Sequence, residues 1–284
     1  MTDNVIAAID ASKFAHSVCD CAIWASQKLG SPLVFLHVVD NHPQAAEADL
    51  TGNIGLGSRE HLLEELSGLD EKRAKIAQES GRVILKAAKE RAETAGASNA
   101  STRQRNGTLV ETLEEMQGET RLLVIGKRGA NEHHDSEHLG SNLERVVRSL
   151  HHPVLMVPAT FTTPKKILVA FDGSKTTRKG IEVLAKSPLF AGTAVHVVIV
   201  GSDTGDNRYQ LDWALGLLRE AGHSAEGTIR AGEVEATLHD YQRKHDIDLL
   251  VMGAYGHSRI RHLLVGSTTS EMLRKADIPL LILR

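Results

Sequence analysis

One unit occurs twice in this chain of 284 residues, and its duplication limits the fold more than any other feature. The downstream copy starts with the apolar run Asp248–Met252. It continues through Gly253, Gly256, Gly266 and Ser267 into Ser270–Ala276, which reads as a short helix. The upstream copy starts with Leu122–Ile125 and continues through Gly126, Gly129, Gly140 and Ser141 into Asn142–Leu150. The spacings are G-x2-G-x9-G-S downstream and G-x2-G-x10-G-S upstream. Each copy is followed by a proline and a second apolar run, Pro153–Val157 or Pro279–Leu283. A short apolar run, a glycine turn and a helix read as buried parallel strand, loop and helix. Repetition at a period this long, well beyond a solenoid repeat, means two similar domains.

The chain in order supports that division. Asn4–Asp10 reads as a buried strand, and Ser12 is placed to cap a helix running to Leu29. Leu33–Val39 is a second strand, and residues 41–58 a loop. Arg59–Leu66 is expected as one helical piece, with Asp70 capping a separate helix to Ala95. Ser98–Arg105 is a third strand and Leu109–Gln117 a helix, with every strand of the buried type. The charged stretch Arg59–Arg91 reads as a solvated helix face. Pro158–Pro164 is the linker. Lys166–Asp172 then repeats the first strand down to its terminal Asp, Thr176–Lys186 is its helix and Ala194–Val200 the second strand. Gly205–Ala221 is a helix expected to turn Trp213 and Leu217 inward; His223–Arg230 is a strand and Glu233–His245 a helix. The domains are therefore 1–158 and 165–284. The offset between copies is 162 at the Asp pair (10 to 172) and 127 at the glycine pair (126 to 253), so the first domain carries 35 extra residues. The fold class is α/β: two tandem open parallel-sheet domains with helices on both faces.

Composition narrows the function. Apolar content of 41% and charged content of 24% suit a globular domain. A formal net charge of −3 argues against a general binder of nucleic acid or anionic membrane. The start lacks a basic, apolar signal region, and no apolar run approaches the ~20 residues that span a bilayer, so a cytoplasmic setting is expected. Cys19 and Cys21 fall on different sides of a helix, which argues against a shared metal or redox site.

In an open parallel sheet, ligands bind beyond the carboxyl ends of the strands, where strand order reverses. With the order 3-2-1-4-5, Asp10 and its glycine loop face one crevice, and Asp172 and its loop face another. Glycines let a backbone approach a ligand closely, and free N–H groups at a helix start suit phosphate. The constellation fits a nucleotide, with the carboxylate at the nucleoside or metal end. Each Asp also suits a plain helix cap, and each glycine loop a plain connection. No G-x-x-x-x-G-K-[ST] is present, and no G-x-G-x-x-G opens the first helix, which excludes a P-loop ATPase and argues against a dinucleotide dehydrogenase. The segment 132–138 has metal-ligand residue types, but nothing in it sets a coordination geometry.

The sequence resembles the universal stress proteins of the UspA type in their tandem two-domain form. The resemblance rests on the glycine loop at Gly253, Gly256, Gly266 and Ser267, on the Asp closing each first strand, and on the end of the second strand at Asp40. It implies binding of ATP or AMP, with or without Mg2+, in a stress-response sensor or regulator. Carried over by position, the second site would use Asp172, Ile199, Met252, Gly253, Gly256, Gly266, Ser267, Thr268 and Thr269. The first would use Asp10, Val38, Ile125, Gly126, Gly129, Gly140 and Ser141. The partner is thus adenine nucleotide, with neither nucleic acid nor membrane, and a homodimer is a further expectation. The resemblance also implies that strands Val154–Val157 and Leu280–Leu283 pair with one another or with another chain. Two other classes fit the same residues: a slow ATPase or nucleotidyl-type enzyme, and a nucleotide-independent interaction module using the 35 extra residues. No nucleophile–base pair stands out for an enzyme. The second loop is expected to hold nucleotide more tightly, because Arg259 and Arg261 lie in it while Glu132, Asp135 and Glu137 lie in the first. Thr268 and Thr269 would also add hydroxyls that Asn142 and Leu143 do not both supply.

Overall fold

The structure of the chain, a computed structural model, describes residues 3–39, 56–130, 141–254 and 267–284. The first half contains β1 (Asn4–Ala8), α1 (Ala15–Leu29), β2 (Leu33–Val39), α2 (Leu56–Thr94), β3 (Ala100–Asn106), α3 (Leu109–Glu115), β4 (Thr120–Gly126), α4 (Ser141–Ser149) and β5 (Val154–Val157). The second contains β6 (Lys166–Ala170), α5 (Lys175–Lys186), β7 (Ala194–Val200), α6 (Gly205–Glu220), β8 (Ser224–Arg230), α7 (Val234–His245), β9 (Leu249–Gly253), α8 (Ser267–Lys275) and β10 (Leu280–Leu283).

All ten strands form one sheet in the order β3-β2-β1-β4-β5-β10-β9-β6-β7-β8. Within each half this is the order 3-2-1-4-5, with every pairing parallel. The halves join through β5 and β10, which pair antiparallel with Leu155 opposite Leu281. Two apolar edge strands would be a liability in water; each covers the other here.

Strand alternation divides the apolar side chains between the two faces of the sheet. Val5, Leu122, Val124, Leu155 and Leu281 enter a core covered by α1, α2, α5 and α6. Ile6, Leu123, Ile125, Met156 and Ile282 enter a second core, covered by α3, α4, α7 and α8. Both cores run across the join. The linker adds to it: Phe161 lies against Trp24 with ring centroids 5.7 Å apart, and Ser17 Oγ donates to the Pro158 carbonyl at 2.6 Å. Just past β4 the Lys127 ammonium donates to the Ala276 carbonyl of the other half at 2.8 Å.

Three sequence expectations change. The outer strands β3 and β8 are half-exposed and polar, because each has a neighbour on one side only. The expected break near Asp70 is absent, and α2 is one helix of 39 residues passing through Gly68 and Gly81. A lone glycine costs about 1 kcal/mol in a helix, too little to stop one rich in Glu, Lys, Arg and Leu. At Gly81 the missing side chain is required, since an added Cβ would lie 2.5 Å from the His37 ring on β2. Finally, α6 buries Leu211, Ala214, Leu215 and Leu218, while Trp213 and Leu217 pack at the rim of the core.

Candidate functional site

Asp10 follows β1 at the point where strand order reverses between β1 and β4. Its Oδ1 accepts the Ser12 N–H at 2.9 Å, which turns the chain toward α1. Its Oδ2 accepts the Ala130 N–H at 2.9 Å, which holds the first glycine loop over the same turn. The carboxylate is therefore both the turn-former and the tie to the loop. Gly129 lies against that carboxylate. Gly126, the last residue of β4, lies on the Phe14 side chain, and an added Cβ there would meet the Phe14 Cβ at 2.8 Å. No side chain fits without displacing the start of α1.

These elements enclose a cavity of about 890 Å³ beyond the carboxyl ends of β1, β2 and β4. Its floor includes Asp10, Val38 and Ile125, and its rim Gly126 and Gly129. The α2 residues Ala77, Ser80 and Ile84 form one wall; Thr108, at the start of α3, and Asn142 and Leu143 of α4 form another. His37 Nδ1 lies 2.8 Å from the Ile9 carbonyl, so it carries the proton there and fixes the ring at the cavity edge. Arg128, Arg145 and Arg148 are among the lining residues, with Arg148 paired to Glu144 at 2.5 Å, against the carboxylates of Asp10 and Glu111. The volume lies within the range of small-molecule sites, and the balance of charge suits an anion.

The sequence reading brought Asp10, Val38, Ile125, Gly126 and Gly129 to this place. It missed His37, the α2 wall and the arginines of α4. Arg145 and Arg148 lie three apart on the helix that opens at Ser141, and that spacing was the available signal. Gly140 lies outside the described residues.

In the second half, Asp172 Oδ1 accepts the Ser174 N–H at 3.0 Å and the Thr177 hydroxyl at 2.6 Å, so it braces the start of α5. Beside it, Gln210 of α6 packs on Gly173 and accepts from Arg178, whose guanidinium sits 4.0 Å from the Trp213 ring centroid. Ile199 and Met252 are buried at the ends of β7 and β9, and Gly253 closes β9. Gly256 and Gly266 lie outside the described residues, and Ser267 opens α8.

The loop alignment pairs Thr269 with Leu143 and Thr268 with Asn142. Thr269 is 2% exposed, and its hydroxyl donates to the Ala254 carbonyl at 3.2 Å. Leu143 is 1% exposed. Both are core positions, so the hydroxyl difference between them does not separate the two loops as ligand sites. Of the pair expected to distinguish the copies, only Thr268 against Asn142 remains at the surface. The residues 132, 135, 137, 259 and 261 behind the charge comparison lie outside the described residues.

An open sheet with a crevice at its order reversal and a glycine loop at the rim defines a doubly wound α/β protein with its ligand position at the switch point. Comparison with known proteins narrows the class: the profile of the universal stress protein family matches residues 1–158 and again 163–284. A universal stress protein from Synechocystis sp. is 38% identical over 285 residues, covering 99% of each chain. The chain belongs to the universal stress protein family, in tandem form. A solved universal stress protein from Archaeoglobus fulgidus shares the fold, with a TM-score of 0.73 and 19% identity over 99% of this chain and 98% of that one. A protein of unknown function from Pseudomonas aeruginosa PAO1 does so with a TM-score of 0.63 and 17% identity, over 99% and 92%.

Proposed function

We propose that the chain binds an adenine nucleotide, ATP or AMP, in the first-half crevice and serves as a nucleotide-responsive regulator in the stress response. The observation that supports this most is the 890 Å³ cavity whose glycine loop is tied to Asp10. In this reading the phosphates lie toward Gly126–Ala130 and the start of α4, with Arg128 from the loop and Arg145 and Arg148 from the later turns of α4 supplying positive charge. The base lies toward Val38 and the apolar floor. Mg2+ would arrive with a triphosphate; the crevice offers it Asp10, whose two oxygens each already accept an N–H. The second loop, with Asp172, Gly253, Gly256, Gly266, Ser267 and Thr268, is the equivalent position in the other half. The setting is cytoplasmic, with neither nucleic acid nor membrane as partner. Among the described residues no helix is long and apolar enough to cross a membrane.

The test is to denature purified protein and assay the released adenine nucleotide by chromatography. A nucleotide-free protein that also fails to take up added ATP would reject the reading. The crevice has no P-loop lysine, and its only carboxylates among the described lining residues are Asp10 and Glu111. Hydrolysis of bound ATP is therefore expected to stay below roughly 1 per second, the lower end of ordinary enzyme turnover. Steady-state phosphate release measures it.

The expected homodimer has a candidate surface on α2. Leu69, Ile76 and Val83 recur every seven residues and are 50%, 69% and 60% exposed, the spacing of one side of a coiled coil. Residues 60–71 carry five acidic side chains and no Lys or Arg, while residues 72–94 carry seven Lys or Arg and three Glu, with Lys75, Arg82, Lys86 and Lys89 paired to glutamates of the same helix. Two copies of α2 running antiparallel would set the acidic part of each against the basic part of the other. Ile76→Lys is expected to convert a dimer to a monomer in sedimentation, and an unchanged dimer would place the contact elsewhere.

A further inference from the structure

A second cluster of chemistry-bearing side chains lies at the other end of the sheet from the crevice. His196 is the third residue of β7, and its register partner on β8 is Glu226. Partners on adjacent strands point to the same face, so both side chains meet the helix that covers it. That helix is α7, and it ends at His245. The next residue, Asp246, adopts a left-handed conformation with φ of 53° and turns the chain away. Strand, neighbouring strand and helix end thus converge on one point from three fixed directions.

The distances are short. His196 Nδ1 lies 2.9 Å from Glu226 Oε1, and one donor atom from each of His196, Glu226 and His245 lies within 4.8 Å of the other two. We propose that His196, Glu226 and His245 form a binding site for a divalent transition-metal ion of the zinc type. Two imidazoles and a carboxylate are a donor set for such an ion, with a water completing the coordination. Bonds of about 2.0–2.1 Å in a tetrahedral site set donors about 3.3 Å apart. His196 Nδ1 and Glu226 Oε1 already stand within that spacing, so the closure required is between His245 and this pair, and Glu226, 64% exposed, can follow it. His196 is 7% exposed and held in place.

The surroundings resemble the outer shell of a metal site. Tyr241 stacks on the His245 ring at a centroid distance of 4.0 Å and an interplanar angle of 15°. Its hydroxyl lies 3.0 Å from His196 Nδ1. Tyr241 thus holds the His245 ring by stacking, while its hydroxyl shares His196 Nδ1 with Glu226 and must give up that contact when an ion binds there. A cavity of about 380 Å³, lined by the three donors with Ser224 and Asp246, leaves room for the water. Lys166 and Lys244 also line it, the Lys166 ammonium donates to the His245 carbonyl at 3.0 Å, and Arg230 lies 6.0 Å from the Tyr241 ring centroid. These cations oppose a metal ion and restrain its affinity. Without metal, the contact between His196 and Glu226 is a hydrogen-bonded pair; the ion would take the place of the proton they share.

The site is separate from the nucleotide reading and is tested apart from it. The chelator-treated full chain is titrated with ZnCl2 by calorimetry, and with CoCl2 by visible absorption, which reports four-coordinate binding. Histidines and acids at 132–138 are a competing source of binding, so a variant with His133→Ala, His134→Ala and His138→Ala serves as the background. In that background we expect one equivalent of Zn2+ per chain and an intense cobalt band. Glu226→Gln, at an exposed position that folding tolerates, and His245→Gln are each expected to weaken binding at least tenfold; partners outside the coordination sphere alone change metal affinity by about 10–100-fold. Lys244→Ala is expected to bind as well or better. Stoichiometric binding that vanishes with the loop histidines, or that survives both Glu226→Gln and His245→Gln, would overturn the proposal.

Discussion

Leu281→Ala is expected to lower the stability of both halves together, by about 2–5 kcal/mol, the range for truncating a buried leucine. Leu281 is 3% exposed, and Leu155, opposite it in the antiparallel pair, is 0% exposed. The two strands are flanked by β4 and β9 and covered from both faces, so the space left by a lost side chain has little freedom to collapse. Leu281→Asp would place a carboxylate there without a partner, and a larger loss is expected. The sharing of the loss is the specific claim, because both cores run across the join. Each half carries one tryptophan, Trp24 or Trp213. Single Trp→Phe variants therefore report the halves separately in denaturant titrations. Coincident midpoints that shift together in the Leu281→Ala background are expected. A shift confined to Trp213 would show that the halves fold as independent units and that the join contributes little.

Much of this architecture was legible because it rests on apolar periodicity and duplication. Val154–Val157 and Leu280–Leu283 are too apolar for open edges, so their pairing could be expected, although a partner chain was an equal solution for the same residues. The order 3-2-1-4-5 taken for each half is the observed one, and it sets Asp10 beside Gly126 at the reversal point. The break near Asp70 was misread because the helix propensity of the segment outweighs one glycine. Asp70 reads as the cap of a separate helix after Arg59–Leu66, but one long helix spans both. Gly81 lies inside the helix expected from Asp70 to Ala95, and its role in letting α2 approach His37 shows only in the packing.

The candidate site was legible in its backbone parts and less so in its side chains. Asp10 and the glycines stand out because few residue types suit a tight turn against a carboxylate. Thr269 stood out as a hydroxyl beside a helix start, but its place in the turn of the helix directs it to the Ala254 carbonyl. The cavity wall from α2 was hidden because Ala77, Ser80 and Ile84 lie more than 60 residues from Asp10 and carry no motif. The His196–Glu226–His245 cluster was hidden for the same reason: strand register and a helix end assemble it from residues far apart in sequence.

Loss of the proposed first-half nucleotide site through one substitution is the other large effect expected. Gly129 lies where the loop backbone passes the Asp10 carboxylate, and an added Cβ would stand 3.3 Å from Asp10 Oδ2. A valine carries two further methyl groups and is stiff about χ1, so the carboxylate or the loop must move. The Ala130 N–H loses its acceptor, and the glycine loop is no longer held over the crevice. The substitution lies in a surface loop outside both cores, so the melting temperature is expected to change little while binding is lost. The Arg145→Glu variant, which reverses one charge at the exposed rim, is expected to weaken ATP more than AMP, because the longer phosphate chain meets more of the reversed field. The most direct test is a calorimetric titration of ATP into the full chain and into Gly129→Val, comparing stoichiometry. The account predicts that the wild-type chain takes up ATP and that Gly129→Val takes up one equivalent fewer, with its fold intact by circular dichroism. A wild-type chain that takes up none, or a Gly129→Val chain with unchanged stoichiometry and affinity, would contradict it.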